Sequence, residues 1–370
     1  MKRPHVTLWT TSQLRYDQRI QRVADVFRAM GADVSIFDRR TDQYPDGRIQ
    51  IPFRKGPEMY MAYNRQIARL IRDIQSDLIY AADIDVMPGI MWGLGSRPSI
   101  PVILDLHEYF PEVIELQERP LKQWIWRVVE RRSVAYASEV MTVNHSLARI
   151  YHSKYHKEIQ TIRNVPWLDP GDEVQVGDRL KNKILYYQGA INEGRGLEKL
   201  IQSLLYLPEW KLWLVGDGDV FSDLKKIVSR LSVESRVVFW GRKRPSDLPG
   251  LASQATIGFN LLESRAGSYY YSLANKYFEY MHALLPAVHM NFPEYLALFQ
   301  ELKVGSLLTD IKPEKIAQAV MDITGDMRQY EFYIEQCRLG RERYNWQMES
   351  EALKLIIKKL LPSGHFEHTE

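Results

Sequence analysis

Short apolar runs alternate with helix-patterned segments along this chain, and the alternation occurs twice. The first series begins with an apolar run at residues 5–9, continues with apolar residues at helical spacing from Ile20 to Met30, and reaches a second apolar run at residues 34–37. Short buried strands separated by amphipathic helices are typical of parallel sheets with helices on both faces. The alternation therefore predicts an α/β fold with doubly wound sheets.

The two series are separated by a stretch in which Pro, Gly and Asp cluster without periodicity. We therefore predict an N-terminal domain at residues 1–165, a linker at 166–183 and a C-terminal domain at 184–344. A length of 370 residues agrees with two cores, because single cores seldom exceed about 250–300 residues. An amphipathic pattern at residues 345–361 predicts a last helix, which is a candidate to pack back on the first domain.

Composition excludes several classes of function. The net charge is +3, from 49 Lys and Arg against 46 Asp and Glu, which lacks the basic excess of a nucleic-acid-binding protein. Cys337 is the only cysteine in the sequence, which excludes an internal disulfide and indicates a reducing, cytoplasmic compartment. No run of about 18 uncharged apolar residues occurs, and the N-terminus has no signal-peptide pattern, so we expect no membrane span and no secretion.

Two turns that follow strands of the predicted second domain are rich in glycine. In YYQGAINEGRGLEKLI, Gly189 and Gly194 allow close backbone approach and Arg195 adds a cation, which suits a phosphate. A flexible turn with a solvated arginine is the alternative. Gly216 ends the next strand in LWLVGDGD, whose GxG is too short for a dinucleotide fingerprint.

The segment GFNLLESRAGSYYYSLANKYFEYM predicts a strand, a polar loop and then a helix. Backbone amides around Asn275 and Lys276, together with the lysine charge, suit a pyrophosphate. Glu279 lies one turn further and could accept both hydroxyls of a ribose. The alternative is a capped helix with a surface pair between Lys276 and Glu279.

These segments, with LDLHEYFPE and VMTVNHSLARI upstream of them, resemble the GT-B glycosyltransferases, specifically glycosyltransferase family 4. They span most of the chain and occur in the family's order. The resemblance implies two Rossmann-like domains that face each other across a cleft. It also implies a nucleotide sugar held mainly by the second domain, an acceptor held mainly by the first, and no required metal or other cofactor.

By position, the resemblance implies that Arg195 faces the donor phosphates, that Asn275 and Lys276 hold the diphosphate, and that Glu279 binds the ribose. Gly189, Gly194 and Gly216 belong to the same donor site.

The chain departs from the family pattern at two places. The first carboxylate of the family's Glu-x7-Glu signature falls on Tyr271, so the group that binds the donor sugar is open. Glu263, at the end of the preceding strand, is a candidate replacement, with a surface role as its alternative. Ala190 stands where the family has an arginine, which leaves more of the phosphate charge to Arg195.

In the first domain, His107 directly follows a predicted strand and matches the family's histidine near the donor sugar. A neutral imidazole there can accept or donate a hydrogen bond to a sugar hydroxyl, and a structural histidine that caps the strand end is the alternative. Glu108 and His145 are weaker candidates on the acceptor side. The Asp-x-Asp pairs at 83/85 and 217/219 have the spacing of a metal site, but Arg195 and Lys276 already supply positive charge, so we expect no metal.

The segment LKQWIWRVVERR combines aromatic and basic residues on a predicted helix. Trp124, Trp126, Arg127 and Arg131 are candidates for contact with an anionic membrane surface. An ordinary helix that packs on the sheet is the alternative.

The sequence as a whole predicts a glycosyltransferase that moves a sugar from a UDP- or GDP-linked donor to a glycan or lipid-linked acceptor, in lipopolysaccharide, capsule or other surface polysaccharide biosynthesis. We expect retention at the anomeric carbon and a location in the cytoplasm, at or near the inner face of the membrane. His107, Arg195 and Lys276 are the expected catalytic residues. The alternatives are a GT-B-fold nucleotide-sugar epimerase and a catalytically silent relative that binds a nucleotide sugar or glycan.

Overall fold

The computed structural model describes residues 3–40, 48–51, 56–95, 100–169 and 176–361. They form two compact units. The first unit contains the chain up to Asn164 and from Met348 onward, and the second unit contains Val165–Gln347. No helix in the described ranges is long and apolar enough to cross a membrane.

The first unit is built on a parallel sheet. Its strands are β1 (His5–Trp9), β2 (Asp33–Phe37), β3 (Arg39–Arg40), β4 (Ile49–Gln50), β5 (Leu78–Ala82), β6 (Val102–Leu106), β7 (Glu139–Thr142) and β8 (Gln160–Thr161). Six of them form one sheet in the order β2-β1-β5-β6-β7-β8, and β3 pairs with β4 separately. Both β5 and β6 are buried along their whole length, as expected for strands covered by helices on both faces.

Among the residues that the structure describes, five helices of this unit precede the second unit in the chain. They are α1 (Gln18–Ala29), α2 (Pro57–Asp73), α3 (Met87–Leu94), α4 (Pro120–Tyr136) and α5 (His145–Tyr155). Short 3-10 turns lie at Leu14–Tyr16, Phe110–Glu112 and Ile114–Leu116. Asp17 and Asn144 cap the starts of α1 and α5, because their side-chain oxygens accept hydrogen bonds from amides in the first turn.

The second unit repeats this construction. Its strands are β9 (Ile184–Gln188), β10 (Lys211–Val215), β11 (Val237–Gly241), β12 (Ile257–Asn260), β13 (Ala287–Met290) and β14 (Gly305–Leu308). They form one parallel sheet in the order β11-β10-β9-β12-β13-β14.

Nine helices lie in the described part of this unit. They are α6 (Val176–Asn182), α7 (Leu197–Ser203), α8 (Phe221–Arg230), α9 (Leu248–Ala252), α10 (Gly267–Tyr270), α11 (Asn275–His282), α12 (Pro293–Glu301), α13 (Pro313–Thr324) and α14 (Met327–Arg343), with 3-10 turns at Glu234–Arg236 and Pro245–Asp247.

The strand order reverses once in each sheet, between β1 and β5 in the first unit and between β9 and β12 in the second. In open α/β sheets, ligands bind at the carboxyl ends of the strands beside such a reversal. The predicted α/β fold with two doubly wound, Rossmann-like domains is confirmed. The strand ends at the two reversals are therefore where site residues are sought.

The predicted linker differs from the structure in its C-terminal part. Residues 170–175 lie outside the described ranges, but α6 follows them and belongs to the second unit. Arg179 of α6 is buried, and its guanidinium donates hydrogen bonds to the carbonyl oxygens of Ala283 (2.9 Å) and Leu284. These two residues directly follow α11, so Arg179 pairs backbone acceptors just beyond the end of that helix.

The last described helix, α15 (Trp346–Leu360), packs on the first unit. Its Glu349 carboxylate accepts hydrogen bonds from the backbone amide of Arg163 at 2.7 Å and from its guanidinium at 2.9 Å. Its apolar stripe includes Leu353 and Ile357, both fully buried.

Candidate active site

Three side chains meet where β5 and β6 end in the first unit. Nε2 of His107 lies 2.9 Å from Oδ2 of Asp105, and Nδ1 lies 3.5 Å from Oδ2 of Asp83. Asp83 has a left-handed backbone conformation (φ 67°), and its Oδ1 accepts a hydrogen bond from the His107 amide at 3.2 Å. Both ring nitrogens of His107 therefore face carboxylates.

Asp105 is held rigidly from behind. It is fully buried, and its two carboxylate oxygens accept hydrogen bonds from Nε (2.5 Å) and Nη2 (2.8 Å) of Arg19 in α1. The Tyr80 hydroxyl donates a further hydrogen bond to it. Burial alone would raise the pKa of Asp105, but Arg19 and His107 hold it well below its usual range. Asp105 is therefore a fixed anion behind the imidazole.

The carboxylates around His107 favour the charged form of its imidazole. Burial disfavours the imidazolium, but the charges of Asp105 and Asp83 outweigh burial and raise the pKa of His107 to about 9. A neutral imidazole was considered from the sequence. The structure differs because two carboxylates face the ring: Asp105, two residues earlier on the same strand, and Asp83, which follows the neighbouring strand β5. Only the position of Asp83 depends on strand register. About a quarter of the side chain (24%) remains exposed.

Further carboxylates lie beside His107. Oδ2 of Asp85 accepts a hydrogen bond from the Thr11 hydroxyl at 2.5 Å, and its buried Oδ1 has no hydrogen-bond partner in the described ranges. Burial raises the pKa of Asp85 to about 6 and that of Asp83 well above its usual range, with Glu108 among the charges that raise the latter. Within the residues that the structure describes, no group of three or more His, Cys, Asp or Glu side chains is placed to hold a metal ion.

The two weaker acceptor-side candidates lie in different surroundings. Glu108 is exposed next to His107, and its carbonyl oxygen accepts a hydrogen bond from the Tyr151 hydroxyl at 3.1 Å. His145 begins α5, and its Nε2 lies 2.8 Å from the guanidinium of Arg163. His145 therefore contacts Arg163, whose guanidinium also bonds to Glu349 of α15. Glu108, in contrast, lies beside His107 and its carboxylates.

In the second unit, the glycine turns after β9 and β10 pack backbone against backbone. A Cβ on Gly216 (φ 144°) would lie 1.9 Å from the carbonyl oxygen of Gly189, so only glycine fits there. Gly189 (φ 132°) and Gly194 (φ 78°) also have backbone conformations that favour glycine. Arg195 follows, with its guanidinium 4.7 Å from the centre of the Tyr269 ring. The turn therefore brings a cation and close backbone to one place.

Lys276 lies in the first turn of α11 and is 7% exposed. Its ammonium is 4.0 Å from the centre of the Tyr187 ring and next to Gly189. Burial and the charge of Arg195 lower the pKa of Lys276 well below its ordinary value, against the opposing effect of Glu279. An anion placed here would favour the charged lysine, so the surroundings suit a phosphate group.

The start of α11 has the backbone geometry of an anion site. Ala274 is the N-cap residue and has no side chain that could cap the helix, while its own amide donates to the Tyr295 hydroxyl at 2.9 Å. Asn275, the first helical residue, is exposed. Amides at a helix start attract negative charge, which adds to the charge of Lys276.

Glu279 lies one turn further along α11 and is held by a residue that the sequence did not identify. Its Oε2 accepts a hydrogen bond from Nε2 of Gln188 at 2.5 Å, and Oε1 of Gln188 accepts one from the Tyr186 hydroxyl at 2.9 Å. Gln188 is the last residue of β9, so a polar residue at the end of a predicted buried strand was the signal available. Arg19 was missed because it stands in no motif, and Asp105, although it lies in LDLHEYFPE, was missed because it is inside a predicted buried strand rather than after it.

Glu263 is engaged by a neighbouring cation. Its Oε2 accepts a hydrogen bond from Nε of Arg265 at 2.5 Å, and Arg265 also lies 3.2 Å from the Glu193 carboxylate. Tyr271 ends α10 with its ring against that of Tyr270. The candidate replacement for the carboxylate absent at Tyr271 is therefore already in an ion pair.

Helix α4 separates the residues that the sequence grouped together. Trp126 packs against the rings of Tyr60 and Phe110, with centroids 5.1 and 4.6 Å apart. Arg127 forms an ion pair with Glu112 at 2.8 Å. Both residues are thus occupied within the first unit.

The outward face of α4 carries different residues. Leu121, Trp124 and Ile125 are 70%, 59% and 46% exposed, and Arg131 and Arg132 are exposed on the same face further along the helix. We call these five residues the α4 face. Of the four residues grouped from the sequence, Trp124 and Arg131 belong to it.

Comparisons with known proteins agree with the fold. Residues 18–165 match the family model described as Glycosyltransferase Family 4, and residues 182–326 match Glycosyl transferases group 1. Together the two matches cover most of the chain. No curated protein matches this chain in sequence.

Similar solved structures cover nearly the whole chain at low identity. Sucrose-phosphate synthase from Thermosynechococcus elongatus has a TM-score of 0.78 at 17% identity, over 97% of this chain and 99% of that one. Anabaena HepE in complex with UDP-glucose has 0.72 at 16%, over 96% and 100%. WaaG, a glycosyltransferase involved in lipopolysaccharide biosynthesis, has 0.68 at 14%, over 95% and 99%. At these identities the likeness concerns the fold.

Proposed function

We propose a reaction for this chain, which belongs to glycosyltransferase family 4 and is an enzyme of the GT-B fold. In that reaction the enzyme transfers a sugar from a UDP- or GDP-linked donor to a glycan or lipid-linked acceptor. We further propose that the configuration at the anomeric carbon is retained and that no metal is needed. The acceptor would belong to a surface polysaccharide or lipopolysaccharide.

The observation that carries this proposal is the cationic start of α11. Lys276 is buried beside Gly189, and Arg195 lies close enough to lower its pKa. A lysine that gains charge beside an anion and an arginine, both next to an uncapped helix start, suit a diphosphate, which is the leaving group when a nucleotide sugar reacts. Stabilising the charge that develops on that leaving group would supply a large part of the rate without a protein nucleophile. The structure of HepE with UDP-glucose supports UDP as the nucleotide.

The test of this function combines binding with turnover. Purified protein is screened by thermal shift with UDP, GDP and their sugars, because a ligand that binds only the folded state raises the melting temperature. Each nucleotide sugar that stabilises the protein is then incubated with acceptor lipids and glycans, with and without a metal chelator. Transfer in the presence of chelator supports the proposal. An isomerised donor would indicate an epimerase, and binding without turnover would indicate a silent relative.

We also propose that the α4 face rests on an anionic membrane surface, where a lipid-linked acceptor would be found. Exposed tryptophan and aliphatic side chains beside arginines are typical of helices that lie in a lipid interface. A double substitution, Trp124→Ser with Ile125→Ser, is expected to reduce binding to phosphatidylglycerol vesicles at least tenfold in a flotation assay. Phe332→Ser is the matched control, because this residue is 46% exposed on α14 of the second unit. Equal vesicle binding by all three proteins would contradict the membrane role.

A further inference from the structure

Two buried polar side chains under the start of α11 lack hydrogen-bond partners. Asn260, the last residue of β12, is the register partner of His289 in β13, and they are 0% and 1% exposed. Neither amide atom of Asn260 nor Nδ1 of His289 has a hydrogen-bond partner in the part of the chain that the structure describes. The Asn260 amide lies close enough to the Tyr295 hydroxyl to favour its ionised form. Buried polar groups are nearly always paired, so three unpaired atoms side by side need a reason.

Both side chains point toward α11. A Cβ on Gly258, which shares the face of β12 that carries Asn260, would lie 2.7 Å from the Tyr280 ring of α11. The ring of His289 stacks on that of Tyr295 with centroids 5.6 Å apart, and the Tyr295 hydroxyl holds the amide that precedes α11. The pair therefore lies directly beneath the helix start that carries Lys276.

The pair is neutral. Burial and the nearby charge of Lys276 lower the pKa of His289 to about 3, so its imidazole is uncharged near pH 7. The amide of Asn260 cannot ionise and offers both a donor and an acceptor. A neutral amide beside a neutral imidazole recognises hydroxyl groups, whereas an anion would be drawn to the cation of Lys276.

We propose that Asn260 and His289 bind the hydroxyl groups of the donor sugar. This rests on the proposed function, in which Lys276 holds the diphosphate, because the sugar of such a donor is bonded directly to that diphosphate. Glu263, the carboxylate considered for the sugar, is already paired with Arg265. Since both side chains are closed to solvent in this structure, the inference includes an outward shift of residues 261–274 when the donor binds.

The test uses near-isosteric variants that remove the polar atoms. In Asn260→Leu and His289→Phe, apolar groups replace atoms that have no partner in the ligand-free protein, so the melting temperature is expected to stay level or rise. Asn64→Leu is the matched control. Asn64 is a buried asparagine of the first unit whose amide bonds to Gly89 and to the carbonyl of Asp85, and its loss is expected to lower the melting temperature. Calorimetry then compares UDP with UDP-glucose and GDP with GDP-mannose for each protein.

The decisive quantity is the preference for the nucleotide sugar over its nucleoside diphosphate. Both variants are expected to lose about tenfold of the wild-type preference while binding the diphosphate as the wild type does, and Asn64→Leu is expected to keep it. An unchanged preference, an equal loss for sugar and diphosphate, or a wild type with no preference would each overturn the inference while leaving the proposed function standing. A wild type that bound none of the four nucleotides would overturn the proposed function, and this inference with it.

Discussion

Replacing Lys276 with methionine is expected to weaken nucleoside diphosphate binding by about 1.5–3 kcal/mol, the range for a hydrogen bond to a charged group. The fold should persist, because methionine fills a similar volume and the ammonium is largely removed from water. The pKa of Lys276 lies well below its ordinary value, and a bound diphosphate would raise it again. Wild-type binding should therefore take up a proton, and affinity should fall as the pH rises.

Calorimetry of UDP binding in two buffers with different ionisation enthalpies measures that proton uptake. Lys276→Met is expected to lose the dependence on buffer as well as the affinity. Lys199→Met is the matched control, because Lys199 is an exposed lysine on α7 of the same unit. Wild-type affinity in the Lys276 variant would place this lysine outside the donor site.

Turnover of His107→Gln is expected to fall roughly 100-fold, the usual effect of removing one electrostatic or proton-transferring group, with little change in donor affinity. The proposed donor groups lie in the second unit, so a change after β6 should act on kcat rather than on nucleotide binding. The pKa of His107 is raised to about 9 by Asp105 and Asp83, so the wild type should lose activity as the pH rises through that value. Removing one carboxylate in Asp83→Asn should move this loss to lower pH.

The stability of the fold should also fall as the pH rises, as the activity does. A histidine whose pKa is raised on folding contributes stability that is fully present below its unfolded value, about 6.5, and is lost as the pH rises through about 9. The fall in melting temperature between these values should be smaller in His107→Gln. His152→Gln is the control, because His152 is exposed on α5 and its ring contacts the Lys157 carbonyl oxygen. The same dependence of melting temperature on pH in wild type and His107→Gln would contradict the raised pKa of His107, and identical profiles for wild type and Asp83→Asn would contradict the contribution of Asp83.

Much of the fold follows from hydrophobic periodicity. The strands that carry Asp105 and Gln188 are short apolar runs between helical patterns, and such runs have few alternatives to a buried parallel strand. The positions after the strands could be predicted as well, which is why His107 and Gly189 were found. Gly216 is required because a Cβ there would overlap the carbonyl oxygen of Gly189, but the sequence shows only a GxG pattern at this place.

Features that depend on register could not be read from the sequence. Asp105 is two residues before His107, but the second carboxylate at the ring, Asp83, lies 24 residues earlier in the chain. Asn260 and His289 are neighbours only because β12 and β13 pair in one register. The contacts of Trp126 are with rings supplied by other elements, so composition alone could not show that this side chain packs within the first unit.

The position of α15 has a consequence for biosynthesis. The first unit is discontinuous: it uses the chain up to Asn164 and then residues from Met348 onward, whereas the second unit is one continuous segment. A ribosome therefore releases every strand of the second unit before the helix that completes the first, with Glu349 as the partner of Arg163. The unit that is synthesised first is finished last, and until then the surface that α15 covers is exposed on the nascent protein.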